Sequence, residues 1–230
     1  MKLVVALALV ALAVPAGASS FVDAGRGAPP PTGPPPQPEP PPQPEPPARM
    51  EPERPRILWR DSVALGSPSA GRLVRGVRLP AEGRLFFTWD PLLHRSPNRH
   101  WRRWGTDDIV RLVLRIVRAH SRAHPTAPRV GIGDFSRPRG GYFGPRHISH
   151  QNGLDVDVYY PRRDRRERAP KRVRQVDRGL SQDLVDRFVR AGAVKVFVGP
   201  NTRLDGPPDV VQPLSGHDNH IHVRIAARSR

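Results

Sequence analysis

Two short segments carry most of the side chains able to do chemistry. They are His147-Ile148-Ser149-His150-Gln151-Asn152-Gly153-Leu154-Asp155-Val156-Asp157 and, near the C-terminus, His217-Asp218-Asn219-His220-Ile221-His222. Together they hold five of the nine histidines of the chain, more clustering than packing requires. His150 and Asp157 stand in an H-x6-D spacing, and His220 and His222 form an H-x-H pair. Imidazoles with one carboxylate are the donors that borderline Zn2+ prefers where a position must stay open for water. Cysteine is absent, which excludes a thiolate metal site, a disulfide framework and a cysteine nucleophile. The two segments read as one catalytic metal site.

Strands must bring these segments together. Alternation over residues 154–160 places Leu154, Val156 and Val158 on one face and Asp155 and Asp157 on the other. Residues 220–225 repeat the arrangement, with His220, His222 and Arg224 opposite Ile221, Val223 and Ile225. If the two strands are neighbours, carboxylates and imidazoles share one sheet face. A zinc that activates water needs three protein ligands, for which His150, Asp157 and His222 are the first candidates. His220 lies beside them as a general base or charge stabiliser, and His147 and His217 flank the site.

The supporting elements follow from periodicity. Thr106-Asp107-Asp108 caps a helix that carries Ile109, Leu112, Val113, Ile116 and Val117 and stops at Pro125. Such an apolar stripe must cover a sheet, and His120 and His124 on it read as packing or surface residues. Residues 62–83 suit loops and short strands, and 84–89, 129–135 and 193–198 suit strands. A second helix, capped by Ser181, carries Leu184, Val185, Phe188 and Val189. The loop over 136–145 offers Arg137, Arg139, Tyr142 and Phe143, which fit an anionic ligand as readily as a solvated glycine loop. The fold class is α+β, a small, mostly antiparallel sheet flanked by helices.

The N-terminal quarter cannot pack. Residues 1–18 read as a signal peptide: Lys2, an apolar run from Leu3 to Val14, and the small residues Ala16-Gly17-Ala18, too short a run for a bilayer span of roughly 20 residues. Residues 19–56 are a Pro-rich spacer of extended character, and 57–230 form the folded domain. A net charge of +17 and a pI near 11.6 point to a polyanionic partner. Secretion to the periplasm sets nucleic acid aside, and cleavage leaves no stable membrane insertion. Residues 161–178 hold nine Arg or Lys against three Asp or Glu, a balance of +6, and read either as a solvated insertion or as a patch for an acidic polymer.

Residues 149–157 and 216–222, with the Gly66-Ser67-Pro68 to Pro80 region and the Arg137-Pro138-Arg139-Gly140-Gly141 loop, resemble the penicillin-insensitive murein endopeptidases. These are periplasmic zinc peptidases of the LAS group. The resemblance implies an LAS-type fold, His150, Asp157 and His222 as zinc ligands, His220 as catalytic base, and His147 and His217 as further active-site histidines. It implies peptidoglycan stem peptides as substrate, chiefly D-alanyl to meso-diaminopimelyl crosslinks. Asp155 matches no ligand position and is left as a partner for a ligand imidazole. The Pro-rich spacer, the lack of cysteine and the arginine-rich stretch 162–178 depart from the family. The alternatives are a zinc D,D-carboxypeptidase that trims uncrosslinked stems, and a basic wall-binding protein with no activity.

Overall fold

A computed structural model describes residues 56–145 and 147–228. The expected signal peptide, residues 1–18, and the expected spacer up to residue 55 lie outside the described residues. Eleven strands and two α-helices follow in order: β1 (Val63–Ser67), β2 (Ala70–Val74), β3 (Val77–Arg78), β4 (Glu82–Gly83), β5 (Phe86–Thr88), β6 (Trp104–Gly105), α1 (Asp107–Ala123), β7 (Val130–Ile132), β8 (Asp155–Tyr159), α2 (Arg178–Arg190), β9 (Lys195–Val198), β10 (Val211–Pro213) and β11 (His220–Arg224). The main sheet has seven strands in the order β10-β9-β11-β8-β7-β5-β4. Its pairs are antiparallel except β10 with β9 and β5 with β7. The expected α+β class is therefore present.

The centre of this sheet is where the two motif segments meet. β11 runs antiparallel to β8 in a register that sets His222 opposite Asp157, His220 opposite Tyr159 and Arg224 opposite Asp155. On the other face Val156, Val158, Ile221 and Val223 are fully buried. Each contributes about 1.5–3 kcal/mol relative to exposure. A one-residue slip would exchange the two faces, so burial of the valines fixes the polar register.

α1 covers that apolar face. The Thr106 hydroxyl accepts from the Ile109 N–H, Asp107 and Asp108 occupy the first turn, and the helix ends at Ala123, two residues before Pro125. Ile109, Val113, Ile116 and Val117 join Leu184, Val185 and Phe188 of α2 in the core. The cap of α2 differs from the sequence expectation. Asp177 Oδ1 accepts from the Leu180 N–H, so α2 starts at Arg178 and Ser181 falls inside it, its hydroxyl donating to the Asp177 carbonyl. A carboxylate one turn upstream outcompetes the hydroxyl for the free N–H groups.

The arginine-rich stretch after β8 is more anchored than a solvated insertion. Arg162 is buried, pairs with Asp164 and donates from Nη1 to Gln175 Oε1 at 3.0 Å, while Arg163 Nε donates to the Val176 carbonyl at 3.0 Å. The remaining arginines of the stretch are largely exposed. Among the described residues, no helix is long and apolar enough to cross a membrane.

Candidate metal centre

His150, Asp157 and His222 are all buried, and one donor atom from each lies within 4.8 Å of the others. Asp157 Oδ1 is 3.3 Å from His150 Nε2 and 3.1 Å from His222 Nδ1. The far nitrogen of each ring is spoken for. His150 Nδ1 donates to the Phe135 carbonyl at 2.6 Å, and His222 Nε2 meets Asp155 Oδ1 at 3.3 Å. Those bonds assign the ring protons away from the centre, so two imidazole lone pairs and a carboxylate oxygen converge on one point. Two ligands about 2.0–2.2 Å from a shared tetrahedral ion stand roughly 3.3 Å apart, which matches these separations. The donor set fits a borderline divalent cation.

The electrostatics agree. Burial opposes ionisation of Asp157, yet His150 and His220 hold its carboxyl well below the usual range. Burial draws His222 down, but its bonds to Asp155 and Asp157 outweigh this and lift it to about 9. A point that so favours a proton favours a metal cation in its place. Asp155 stays ionised: burial is overcome by His222, His150 and Arg224, and the carboxylate also accepts from the His150 backbone N–H at 2.9 Å and Arg224 Nε at 2.7 Å. It thus orients both ends of the donor set. His150 itself sits at φ 70°, a left-handed conformation costing about 1–3 kcal/mol that its backbone bond to Asp155 and its ring bond to the Phe135 carbonyl sustain.

Three further histidines border the centre in two chemical states. His220 Nε2 is 3.7 Å from Asp157 Oδ1, and its Nδ1 bonds Asn219 Oδ1 at 2.6 Å. Burial pulls His220 down to about 4, which keeps it neutral with an available lone pair. His217 stacks on it at 4.7 Å between ring centroids, is held neutral by burial, and turns Nδ1 to the Ser215 carbonyl at 3.1 Å. Tyr160 fixes that loop: its hydroxyl donates to the His217 carbonyl and accepts from the Gly199 N–H, both at 3.1 Å. His147 is on the opposite side, its Nε2 3.2 Å from Asp134 Oδ2. Burial lowers its pKa, but Asp134 more than compensates and favours the imidazolium.

The sequence profile of the penicillin-insensitive murein endopeptidases matches residues 64–188, more than half of the chain. The chain belongs to the penicillin-insensitive murein endopeptidase family. Curated relatives carrying that name include one from Yersinia pestis, 28% identical over an alignment of 188 residues that covers 70% of this chain and 66% of the relative. One from Escherichia coli is 28% identical over 192 residues, covering 70% and 65%. One from Salmonella arizonae is 30% identical over 158 residues, covering 54% of each. The chain thus spans between about half and just under two thirds of the length of these relatives. The matched stretch contains His147, His150 and Asp157 and ends before His217, so the C-terminal half of the site in this family member rests on the β8–β11 register.

All six histidine and aspartate positions expected from the motifs come together. Other residues of the site belong to no sequence motif. Asp134, two residues past the end of β7, bonds Arg102 in a buried ion pair, with Arg102 Nε to Asp134 Oδ1 at 2.6 Å, and joins His147 and Asp157 as a further group of donors. Phe143 from the glycine loop packs 4.8 Å from His147 and 5.5 Å from His150, so it is a wall of the centre rather than a free ligand contact. The loop is docked by Gly140, at φ 70°, where a Cβ would lie 2.1 Å from the Gln151 carbonyl. His120 is a packing residue as expected. It is buried, and with His124 and Asp183 it forms a third donor group that Arg187 already neutralises.

Proposed function

We propose that the chain is a secreted zinc endopeptidase that hydrolyses D-alanyl to meso-diaminopimelyl crosslinks of peptidoglycan. Residues 1–18 are its signal peptide, 19–56 a spacer and 57–230 the peptidase domain, which acts in the periplasm. The observation that carries this reading is the convergence of His150 Nε2, His222 Nδ1 and Asp157 Oδ1, with the other nitrogen of each ring tied away. The family membership and the names of the relatives support the substrate.

His150, Asp157 and His222 hold the ion. When bound, zinc lowers the pKa of water toward 7 and polarises the scissile carbonyl. The rest is done by the chain. His220, neutral and with Nε2 facing the centre, accepts the proton released from water as the nucleophile forms and returns it to the departing amine. His217 holds the His220 ring in place by stacking. His147, its pKa raised by the Asp134 carboxylate, supplies positive charge where the oxyanion develops when the imidazole is protonated. Buried Tyr159, its phenol pushed well up by burial, stays neutral beside His220. No serine is acylated, so a β-lactam finds no nucleophile to trap.

Purified protein assayed on dimeric and monomeric muropeptides tests the reading, with metal content measured in the same preparation. Cleavage of dimers by protein holding one zinc per chain is expected. Release of terminal D-alanine from monomers alone would make the chain a carboxypeptidase, and no metal with no cleavage would leave only wall binding.

A further inference from the structure

The arginine-rich stretch lines a cleft next to the candidate metal centre. A cleft of about 540 Å3 opens beside β11, between the loop after β5 and residues 169–173 of the stretch, with Trp89 and Tyr159 among its walls. It borders the site directly. Tyr159 lies 6.1 Å from the His220 ring, and Asn219, in the cleft wall, bonds His220 Nδ1. Lys171 and Arg172 line the cleft from the stretch. Their backbone N–H groups both donate to Gln175 Oε1, at 2.7 and 3.2 Å, which fixes the turn that presents them. Both side chains are exposed and have no acidic partner among the described residues, unlike Arg162 and Arg129 nearby. The acid in the cleft, Asp218, is occupied by Asn201, through its backbone N–H at 3.3 Å and Nδ2 at 2.7 Å.

We infer that this cleft is a substrate subsite in which Lys171 and Arg172 bind a free carboxylate of the stem peptide adjoining the scissile bond. The inference rests on the proposed endopeptidase reading and assigns the stretch a role that net charge alone does not. A diffuse field attracts any polyanion. Two unpaired cations lining a cleft beside the catalytic base instead select a carboxylate on the part of the stem peptide that enters the cleft.

The test compares dimeric muropeptides with free and with amidated carboxylates. Loss of charge-assisted bonds of this kind corresponds to about tenfold in affinity. Wild type should prefer the free form by about tenfold through KM. The Lys171→Ala/Arg172→Ala variant should lose that preference, with KM on the free form raised about tenfold and kcat kept. Arg174→Ala, on the same stretch but outside the cleft, should match wild type. A double variant that retains the preference overturns the inference, as does an equal effect of Arg174→Ala. Calorimetric binding of the uncrosslinked stem tetrapeptide, free and amidated, reads the subsite independently of cleavage. If wild type cleaves no dimer yet binds the free tetrapeptide more tightly in a Lys171- and Arg172-dependent way, the functional reading fails and the subsite stands.

Discussion

His222 on β11 stands in register with Asp157 on β8, and the two side chains meet at 3.1 Å between Nδ1 and Oδ1. They are 65 residues apart in sequence. The pairing is fixed by what lies beneath it, since Val156, Val158, Ile221 and Val223 fill the opposite face. His220 shares the strand face but its Nε2 is farther from Asp157, at 3.7 Å. In the proposed mechanism this difference separates ligand from base. His222→Ala is expected to abolish zinc retention, measured as metal per chain. His220→Ala should keep the metal and lose about 10²- to 10⁴-fold in activity. A fully active His220→Ala protein would remove its assigned role.

Asp155 contacts the metal site only through other residues, by orienting His222 Nε2 and the backbone of His150. Partners of this kind typically govern affinity by 10- to 100-fold. Asp155→Asn, which keeps the shape and weakens the acceptor, should reduce zinc affinity by about that factor in a competition with a chromophoric chelator. Unchanged affinity would mean that the His222 ring is held by packing alone.

Asp134 and Arg102 form an ion pair in which neither side chain is more than 3% exposed. Removing one partner strands a buried charge. Asp134→Ala should cost about 3–5 kcal/mol and lower the melting temperature by roughly 10 °C. Arg102→Met combined with Asp134→Leu should recover much of that loss, because it leaves no charge uncompensated. A double variant as unstable as the single would point to packing instead.

His120 supplies a pH dependence distant from the metal. Burial lowers its pKa from 6.5, against the opposing pull of Asp183. The unfolded chain therefore takes up this proton near pH 6.5, whereas the folded chain takes it up only at lower pH. Between those values the unfolded state binds more protons, so stability falls as pH drops below about 6.5. Thermal melts at pH 7.5 and 5.5 should show this decline, and His120→Gln should make it shallower. Equal slopes in the two proteins would contradict the assignment.

What the sequence disclosed follows from period and proximity. The alternation over 154–160 and 220–225 placed the donors on one face, and the stripe from Ile109 to Val117 marked α1. Asp134 and Arg102 gave no such sign, being 32 residues apart with no shared pattern. A charged residue directly after an apolar strand, as in Ile132-Gly133-Asp134, is the cue that was available. The start of α2 is ambiguous in sequence because Asp177 and Ser181 are both good caps and only the backbone decides which is used. The anchoring of the arginine-rich stretch turns on Arg162 alone, and composition does not separate one buried arginine from its exposed neighbours.

The central claim is that a metal held by His150, Asp157 and His222 drives crosslink hydrolysis. Digestion of purified peptidoglycan, with mass analysis of the products, tests it most directly when run with chelator and again after zinc is restored. The account predicts conversion of dimers to monomers, its loss on chelation and its return with zinc. Dimers left intact by the zinc-loaded protein, or cleavage indifferent to the chelator, would contradict it.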